Sequence, residues 1–281
     1  MSTLREFFTQ QISLFQKSAQ PALEAQLLIC HSTGLSKEQF FLCLERTLSK
    51  AEERRFERLA ARRLAGCPLP YLTGVKEFWS MAFRVGPGVL IPRPETESIV
   101  EKALALASKR KATIVDIGTG CGNIALALAR ELPRANVLAT DISFRALKVA
   151  RANAKTLGLD RVAFLQGDLF SPLRKLHLEN RCDFILSNPP YVSAREWDRL
   201  PQEIREHEPR RALLAGNSGL EVISRIVPGA LFFLRPRAYL LLEIGKGQLP
   251  RILRLFDQRW ADLAHIPDLR GIPRIVIARK K

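Results

Sequence analysis

Cysteine and histidine are scarce in this sequence, with five and four in 281 residues. The cysteines (Cys30, Cys43, Cys67, Cys121 and Cys182) are odd in number and none forms a CxxC pair. That pattern argues against a disulfide framework and a zinc cluster, and predicts reduced, mostly buried thiols. The histidines (His31, His177, His207 and His265) lie far apart and fit no ligand motif, so no metal is expected. Long apolar runs are also lacking. The best candidate, 226–244, is broken by Arg235, Pro236 and Arg237, whereas a membrane-spanning helix needs roughly 20 uninterrupted apolar residues. Residues 1–6 show no basic region leading into an apolar stretch, so no signal peptide is expected and the expected location is cytoplasmic.

Negative charge is in deficit. Lys and Arg total 44 against 28 Asp and Glu, a net charge of +16. Such a balance often accompanies an anionic partner such as RNA. The excess is diffuse, however: residues 1–84 carry 12 basic and 8 acidic residues, and residues 85–281 carry 32 and 20. A basic proteome or simple solubility accounts for it equally well. No internal repeat and no RNA-binding motif is present. Apolar residues at 47% suffice for a proper core.

Residues 1–66 show helical spacing, in Leu4-Phe7-Phe8-Ile12 and in Ala22-Ala25-Leu28-Ile29. Pro21 suits a helix start, Gly34 a helix end, and 51–65 reads as an amphipathic helix stopped by Gly66. Residues 67–94 are dense in proline and glycine, which argues against any helix there. Two short strand-like runs, 77–79 and 81–85, predict a linking β-hairpin. From residue 95 helices and strands alternate. Helices are expected at 95–109, 123–132, 144–157, 220–234 and 249–256. Strands are expected at 112–117, 137–141, 162–166, 183–187, 239–244 and 274–278. Such alternation implies an α/β fold with a mainly parallel sheet covered on both faces.

Chemistry concentrates where those strands end. Val115-Asp116-Ile117-Gly118-Thr119-Gly120-Cys121-Gly122 follows the first strand and opens a helix. Glycines there let the backbone turn tightly and approach a nucleotide-like ligand. The spacing lacks the last glycine of the dinucleotide fingerprint, with Asn123 in its place. Asp141 ends the next strand, where a carboxylate can accept from ribose hydroxyls. Asp168 follows the third strand, placed to meet an adenine amino group. Asp116, beside the glycines, suits a cationic ligand with an amino group and a sulfonium, such as S-adenosyl-L-methionine. One aspartate of this kind often does no more than cap a helix. Three at successive strand ends favour a ligand site.

Asn188-Pro189-Pro190-Tyr191 follows the fourth strand directly. The prolines stiffen the loop and offer carbonyls without N–H groups. With the Asn188 side-chain carbonyl they make a rigid acceptor pair for an NH2 group, and Tyr191 adds a flat surface for a planar one. An amide or exocyclic amino nitrogen is a poor nucleophile because its lone pair is delocalised. Acceptors gripping both hydrogens turn that lone pair toward a methyl donor and stabilise the developing positive charge. These residues alone leave the nitrogen open: an adenine N6 or guanine N2 group answers the same logic as a glutamine amide. A noncatalytic module on the same fold is a third reading, which the intact motif opposes.

Further residues carry a resemblance. Pro70-Tyr71-Leu72-Thr73-Gly74, Glu77-Phe78-Trp79 and Leu90-Ile91-Pro92-Arg93-Pro94-Glu95-Thr96-Glu97 join the glycine turn and Asn188 to Tyr191. Together they resemble the PrmC (HemK) family of peptide chain release factor glutamine N5-methyltransferases. The related ribosomal-protein glutamine methyltransferases match less well over 91–97. The resemblance implies a class I Rossmann-like methyltransferase with a mainly parallel seven-stranded sheet, a small N-terminal helical bundle and a linking β-hairpin. The expected boundaries are 1–74 for a release factor docking bundle, 75–94 for the hairpin and 95–281 for the S-adenosylmethionine-dependent domain. It also implies that Gly118, Thr119, Gly120, Cys121 and Gly122 line the cofactor, Asp141 binds its ribose, and Leu169, after Asp168, flanks its adenine. Asn188 and Pro189 would hold the glutamine amide, with Pro190 and Tyr191 adjacent, and Asn188 would also contact the cofactor. S-adenosyl-L-homocysteine would be the product, and release factors 1 and 2 the substrates. A monomer with no stable nucleic acid partner is expected. Cys121 stands where the family pattern has a threonine or small residue, and Tyr71 where some relatives have histidine.

Overall fold

The computed structural model describes residues 2–107 and 111–281. They form two compact units. One comprises Met1–Val75 together with Gln202–His207, and the other comprises Lys76–Pro201 and Glu208–Lys281.

The first unit is helical: α1 (Leu4–Gln11), α2 (Pro21–Thr33), α3 (Lys37–Leu42), α4 (Lys50–Leu64) and α5 (Leu69–Thr73). Capping boxes start three of these helices, pairing Thr3 with Glu6, Ser36 with Gln39 and Ser49 with Glu52. Each box satisfies backbone donors that a helix start leaves orphaned. Phe7 and Phe56 meet edge-to-face at 5.1 Å within a core that also buries Leu4, Leu28, Ile29 and Phe40. Arg63 bonds Glu24 at 2.8 Å and Glu203 at 3.0 Å, so the short helix Gln202–His207 is tied into this unit. Helix α5 corrects the expectation that residues 67–94 exclude a helix. Pro68 and Pro70 sit at its first turn, where a missing N–H costs nothing.

The second unit begins at Lys76, within a hairpin of β1 (Val75–Phe78) and β2 (Met81–Arg84). Trp79 was expected to end the first strand. It instead shares a two-residue turn with Ser80, at φ 51° and 52°, the left-handed pair that suits a tight hairpin. Its backbone N–H donates to Glu97 and its indole to Glu131, at 2.8 and 3.0 Å, which offsets the conformational cost.

A single 3-10 turn (Pro94–Thr96) then leads into α6 (Glu97–Leu106). The end of the helix expected over 95–109 lies outside the described residues. The alternating elements follow: β3 (Thr113–Ile117), α7 (Asn123–Glu131), β4 (Asn136–Asp141), α8 (Phe144–Thr156), β5 (Ala163–Gln166), α9 (Ser171–Lys175) and β6 (Cys182–Ser187). Next comes an excursion with no expected elements: β7 (Val192–Ser193), α10 (Ala194–Trp197), α11 (the Gln202–His207 helix), α12 (Arg210–Leu213) and β8 (Leu214–Gly216). Within it β7 and β8 pair as a small separate sheet. The chain closes with α13 (Ile223–Phe233), β9 (Leu234–Glu243), α14 (Leu249–Leu253), β10 (Trp260–Pro267) and β11 (Pro273–Lys280).

The main sheet has seven strands in the order β10-β11-β9-β6-β3-β4-β5. The run β9-β6-β3-β4-β5 is parallel, and β11 and β10 add antiparallel pairs at one side. Strand order reverses between β3 and β6. In open α/β sheets a ligand crevice forms beyond the carboxyl ends at such a reversal. Successive residues go to opposite cores. Ile114, Phe184, Leu186, Leu241 and Ile275 join one cluster; Val115, Ile185, Leu240, Leu242 and Val276 join the other. That alternation explains why these strands read as continuous apolar runs.

Candidate active site

The carboxyl ends of β3, β4, β5 and β6 border a cavity of about 370 Å³. Its lining includes Gly118, Thr119, Gly120, Cys121, Asp141, Asp168, Leu169, Asn188 and Pro190. Of the residues singled out in the sequence, Asp116, Gly122, Pro189 and Tyr191 are not on that lining.

The glycine turn is built on the neighbouring strand. The N–H groups of Gly118 and Thr119 donate to the Thr140 carbonyl, at 2.8 and 2.9 Å. Gly118 and Gly120 have φ of 73° and 58°, and a side chain added at either would enter open space. Their missing Cβ atoms therefore leave room for a ligand against bare backbone. Gly122 serves packing instead. A Cβ there would lie 3.1 Å from Leu126 and 3.3 Å from Ala150.

Asp116 is fully buried beneath the turn. Its Oδ2 accepts from the Thr119 hydroxyl at 2.6 Å and from the Ala125 N–H at 3.2 Å. Its Oδ1 has no hydrogen-bond partner among the described residues. Burial pushes this carboxyl up to about 7, with nearby Asp141 adding to the rise and the two donors opposing it. Folding therefore favours the protonated form. That contribution is complete below the ordinary value of 3.8 and is lost as pH rises toward 7. Replacing Asp116 with Asn removes the titration. The variant is expected to gain stability relative to the parent between about pH 4 and pH 7, by at most about 4 kcal/mol. Denaturant melts of both proteins at the two ends of that range check it. A stability difference that does not change with pH would refute the assignment.

Asp141 reaches into the cavity from the end of β4. Its Oδ2 accepts from Gly120 N–H at 2.9 Å and its Oδ1 from Ser143 N–H at 2.7 Å. Burial raises its pKa, while these N–H groups and Arg211 act against the rise. A carboxylate has about four lone-pair sites, so acceptor capacity remains for a ligand. Asp168 forms an ion pair with Arg225, and both side chains are about half exposed at the cavity edge. Leu169 adopts φ 45° beside it, and its carbonyl accepts from the Thr140 hydroxyl at 3.2 Å. Cys121 is buried, and burial pushes its thiol up to about 12, which keeps it protonated and unreactive.

The Asn188-Pro189-Pro190-Tyr191 segment leaves β6 at the centre of the sheet. The Ser187 hydroxyl anchors its start by donating to the Ile117 carbonyl at 2.7 Å. Gln248 anchors its end, donating through Nε2 to the Tyr191 carbonyl at 2.7 Å. Pro189 and Tyr191 line a second, smaller pocket of about 20 Å³ together with Leu90, Arg93 and Asn188. Asn188 thus borders both cavities. Arg93 is held by an ion pair with the buried Glu208, which also accepts from the Ile91 N–H at 3.2 Å.

Two participants escaped the sequence reading. Thr96 accepts from Asn188 Nδ2 at 3.1 Å, and its own hydroxyl donates to Glu243 Oε2 at 2.6 Å. Glu243 Oε1 accepts from the Tyr191 hydroxyl at 3.4 Å. The available signal was a carboxylate closing the apolar strand 239–244, the same pattern that singled out Asp116 and Asp141. Thr96 lies within the 90–97 stretch that carries the family resemblance.

Comparison with known proteins places the chain in a family. Residues 99–217 match the Methyltransferase small domain model, and residues 6–74 match the PrmC N-terminal domain model. A release factor glutamine methyltransferase of Koribacter versatilis is 38% identical over 281 residues, covering 99% of both chains. One of Moorella thermoacetica is 44% identical, covering 93% of this chain and 92% of its own. Solved structures at low identity share the fold. The hMettl16 catalytic domain aligns at a TM-score of 0.56 and 20% identity, covering 78% of this chain and 81% of its own. A Pyrococcus furiosus methyltransferase aligns at 0.54 and 18%, covering 80% of this chain and 98% of its own. With two full-length relatives well above 30% identity and both domain models in register, the chain belongs to the release factor glutamine methyltransferase family.

Proposed function

We propose that this enzyme methylates the side-chain amide nitrogen, N5, of the glutamine in the Gly-Gly-Gln motif of class 1 peptide chain release factors. S-adenosyl-L-methionine is the donor and S-adenosyl-L-homocysteine the product. The observation that carries this reading is Asn188, which borders both the large cavity and the small pocket. One side chain can then face the donor on one side and an amide on the other.

The large cavity fits the donor. Its volume lies within the range of small-molecule sites. The bare backbone at Gly118 and Gly120 accommodates a flat or extended ligand, and Asp141 offers acceptor sites to ribose hydroxyls. Leu169 supplies an apolar wall for an adenine ring. Asp168 is shared with Arg225, so its part in binding the adenine amino group depends on that ion pair. When bound, the donor supplies an electrophilic methyl group on a sulfonium. Asn188 Oδ1 and the Pro189 carbonyl accept the two amide hydrogens of the glutamine, with Pro190 and Tyr191 shaping the same loop. That grip orients the nitrogen lone pair and stabilises positive charge as it develops. No strong base is required beforehand, because an amide nitrogen becomes acidic once alkylated.

The helical unit would contribute to docking of release factors 1 and 2, and the reaction would take place in the cytoplasm as a monomer. Among the described residues no helix is long and apolar enough to cross a membrane. The deciding measurement incubates the protein with labelled S-adenosylmethionine and either unmethylated release factor or bulk RNA. Mass spectrometry should find one added methyl on the glutamine. Label appearing only in RNA would overturn the reading.

A further inference from the structure

The hydrogen-bond chain behind Asn188 has a fixed direction. A side-chain amide can present either its carbonyl or its NH2 to a substrate, and only the carbonyl accepts. Thr96 has one hydroxyl proton. It donates that proton to Glu243 Oε2 at 2.6 Å, so toward Asn188 it can only accept. Asn188 must then turn Nδ2 to Thr96, as the 3.1 Å contact shows, which leaves Oδ1 free as an acceptor. The second Glu243 oxygen receives the Tyr191 hydroxyl. Thr96 and Glu243 are both almost fully buried, at 1% and 2% exposure, so water does not compete for these bonds.

We propose that Glu243, acting through the Thr96 hydroxyl, is the positioning residue that fixes the Asn188 amide with its carbonyl toward the substrate. This rests on the reading of Asn188 as an acceptor for the glutamine amide. Neither Thr96 nor Glu243 touches the reacting atoms in this scheme. Their effect is to remove the flipped amide, which would present a donor to a donor. Burying a carboxylate for this purpose is costly. Burial pushes Glu243 up to about 7, Glu95 adds to the rise, and Thr96, Arg274 and Tyr191 oppose it. Above that value the group is a carboxylate with no donor of its own, and in that form it leaves the Thr96 proton only one direction to point.

The test measures turnover with unmethylated release factor 1 and S-adenosylmethionine for Thr96→Val, Thr96→Ser, Glu243→Gln and the Thr96→Val/Glu243→Gln double variant. Donor affinity and thermal melting are measured for each. Thr96→Val keeps shape and loses the hydroxyl; kcat is expected to fall about tenfold or more, with the KM for the donor within about twofold. Thr96→Ser should recover most of the loss. Glu243→Gln offers Thr96 a donor as well as an acceptor, so the amide direction is no longer dictated and kcat falls. Because both act on one chain, the double variant should lie within about threefold of Thr96→Val alone. A Thr96→Val enzyme within twofold of the parent kcat would overturn the proposal. So would a Thr96→Ser enzyme as slow as Thr96→Val, or losses that multiply in the double variant. Were Thr96→Val to unfold, the contrast between a working Thr96→Ser and a slow Glu243→Gln decides. Asn188→Ala separates the two readings: if it retains turnover the acceptor role itself fails, whereas an inactive Asn188→Ala beside a normal Thr96→Val removes only the positioning role.

Discussion

Asn188→Ala is expected to lower kcat by about 100- to 1000-fold while leaving donor affinity within about threefold. Deleting one preorganised hydrogen-bonding group aimed at developing charge costs about 3–4 kcal/mol in turnover. The cavity wall tolerates the change, because the lining shared with Gly118, Gly120, Asp141 and Leu169 does not depend on Asn188 for its own bonds. The loss should also resist rescue by higher donor concentration, since the missing interaction belongs to the acceptor amide. Single-turnover rates and calorimetric titration with S-adenosylhomocysteine separate the two quantities. A surviving turnover would remove Asn188 from the chemistry. A donor affinity reduced as much as kcat would move it to cofactor binding.

Asp141→Ala should have the reverse signature. A charged acceptor contributes about 1.5–3 kcal/mol per hydrogen bond, so donor affinity is expected to fall about 10- to 100-fold. Turnover at saturating donor should change much less. The substitution also strands the Gly120 and Ser143 N–H groups that Asp141 now satisfies, so some loss of melting temperature is expected as well. Asp141→Asn tests the distinction, because it keeps an acceptor for one of those donors. Unchanged donor affinity in both variants would exclude the ribose assignment.

Much of this architecture was legible in the sequence because the strands are buried on both faces. Runs such as 112–117 and 183–187 carry their own length and their punctuation by glycine or proline. Strand β10 was not legible. It lies at the sheet edge with most side chains exposed, and a bulge near Asp262, at φ 51°, breaks its alternation. Aromatics favour strands, yet at Trp79 the tight turn and its two carboxylate partners outweigh that preference. Helix α5 lies in a stretch whose proline density argues against a helix, yet prolines at a helix start do not break it.

The site divides the same way. The cavity-lining residues from Gly118 to Cys121, with Asp141, Leu169 and Asn188, follow strand ends in sequence and meet in space. Asp116 and Gly122 carried the right pattern but serve the turn from beneath, as a buried acceptor and a close packing position. Thr96 and Glu243 lie 147 positions apart and meet only through the fold. Glu243 closes an apolar strand as Asp141 does, but nothing local to either segment couples it to Thr96.

The helix Gln202–His207 has one more consequence. It belongs with the first helical unit, although the chain on both sides of it belongs to the other. A piece cut after Val75 would contain all of α1 to α5 and still lack a partner of Arg63. The helical unit therefore cannot be traded between relatives as one uninterrupted stretch. Any recombinant that inherits it from one parent must inherit two separated segments, and a single crossover between them leaves each product with a mismatched seam.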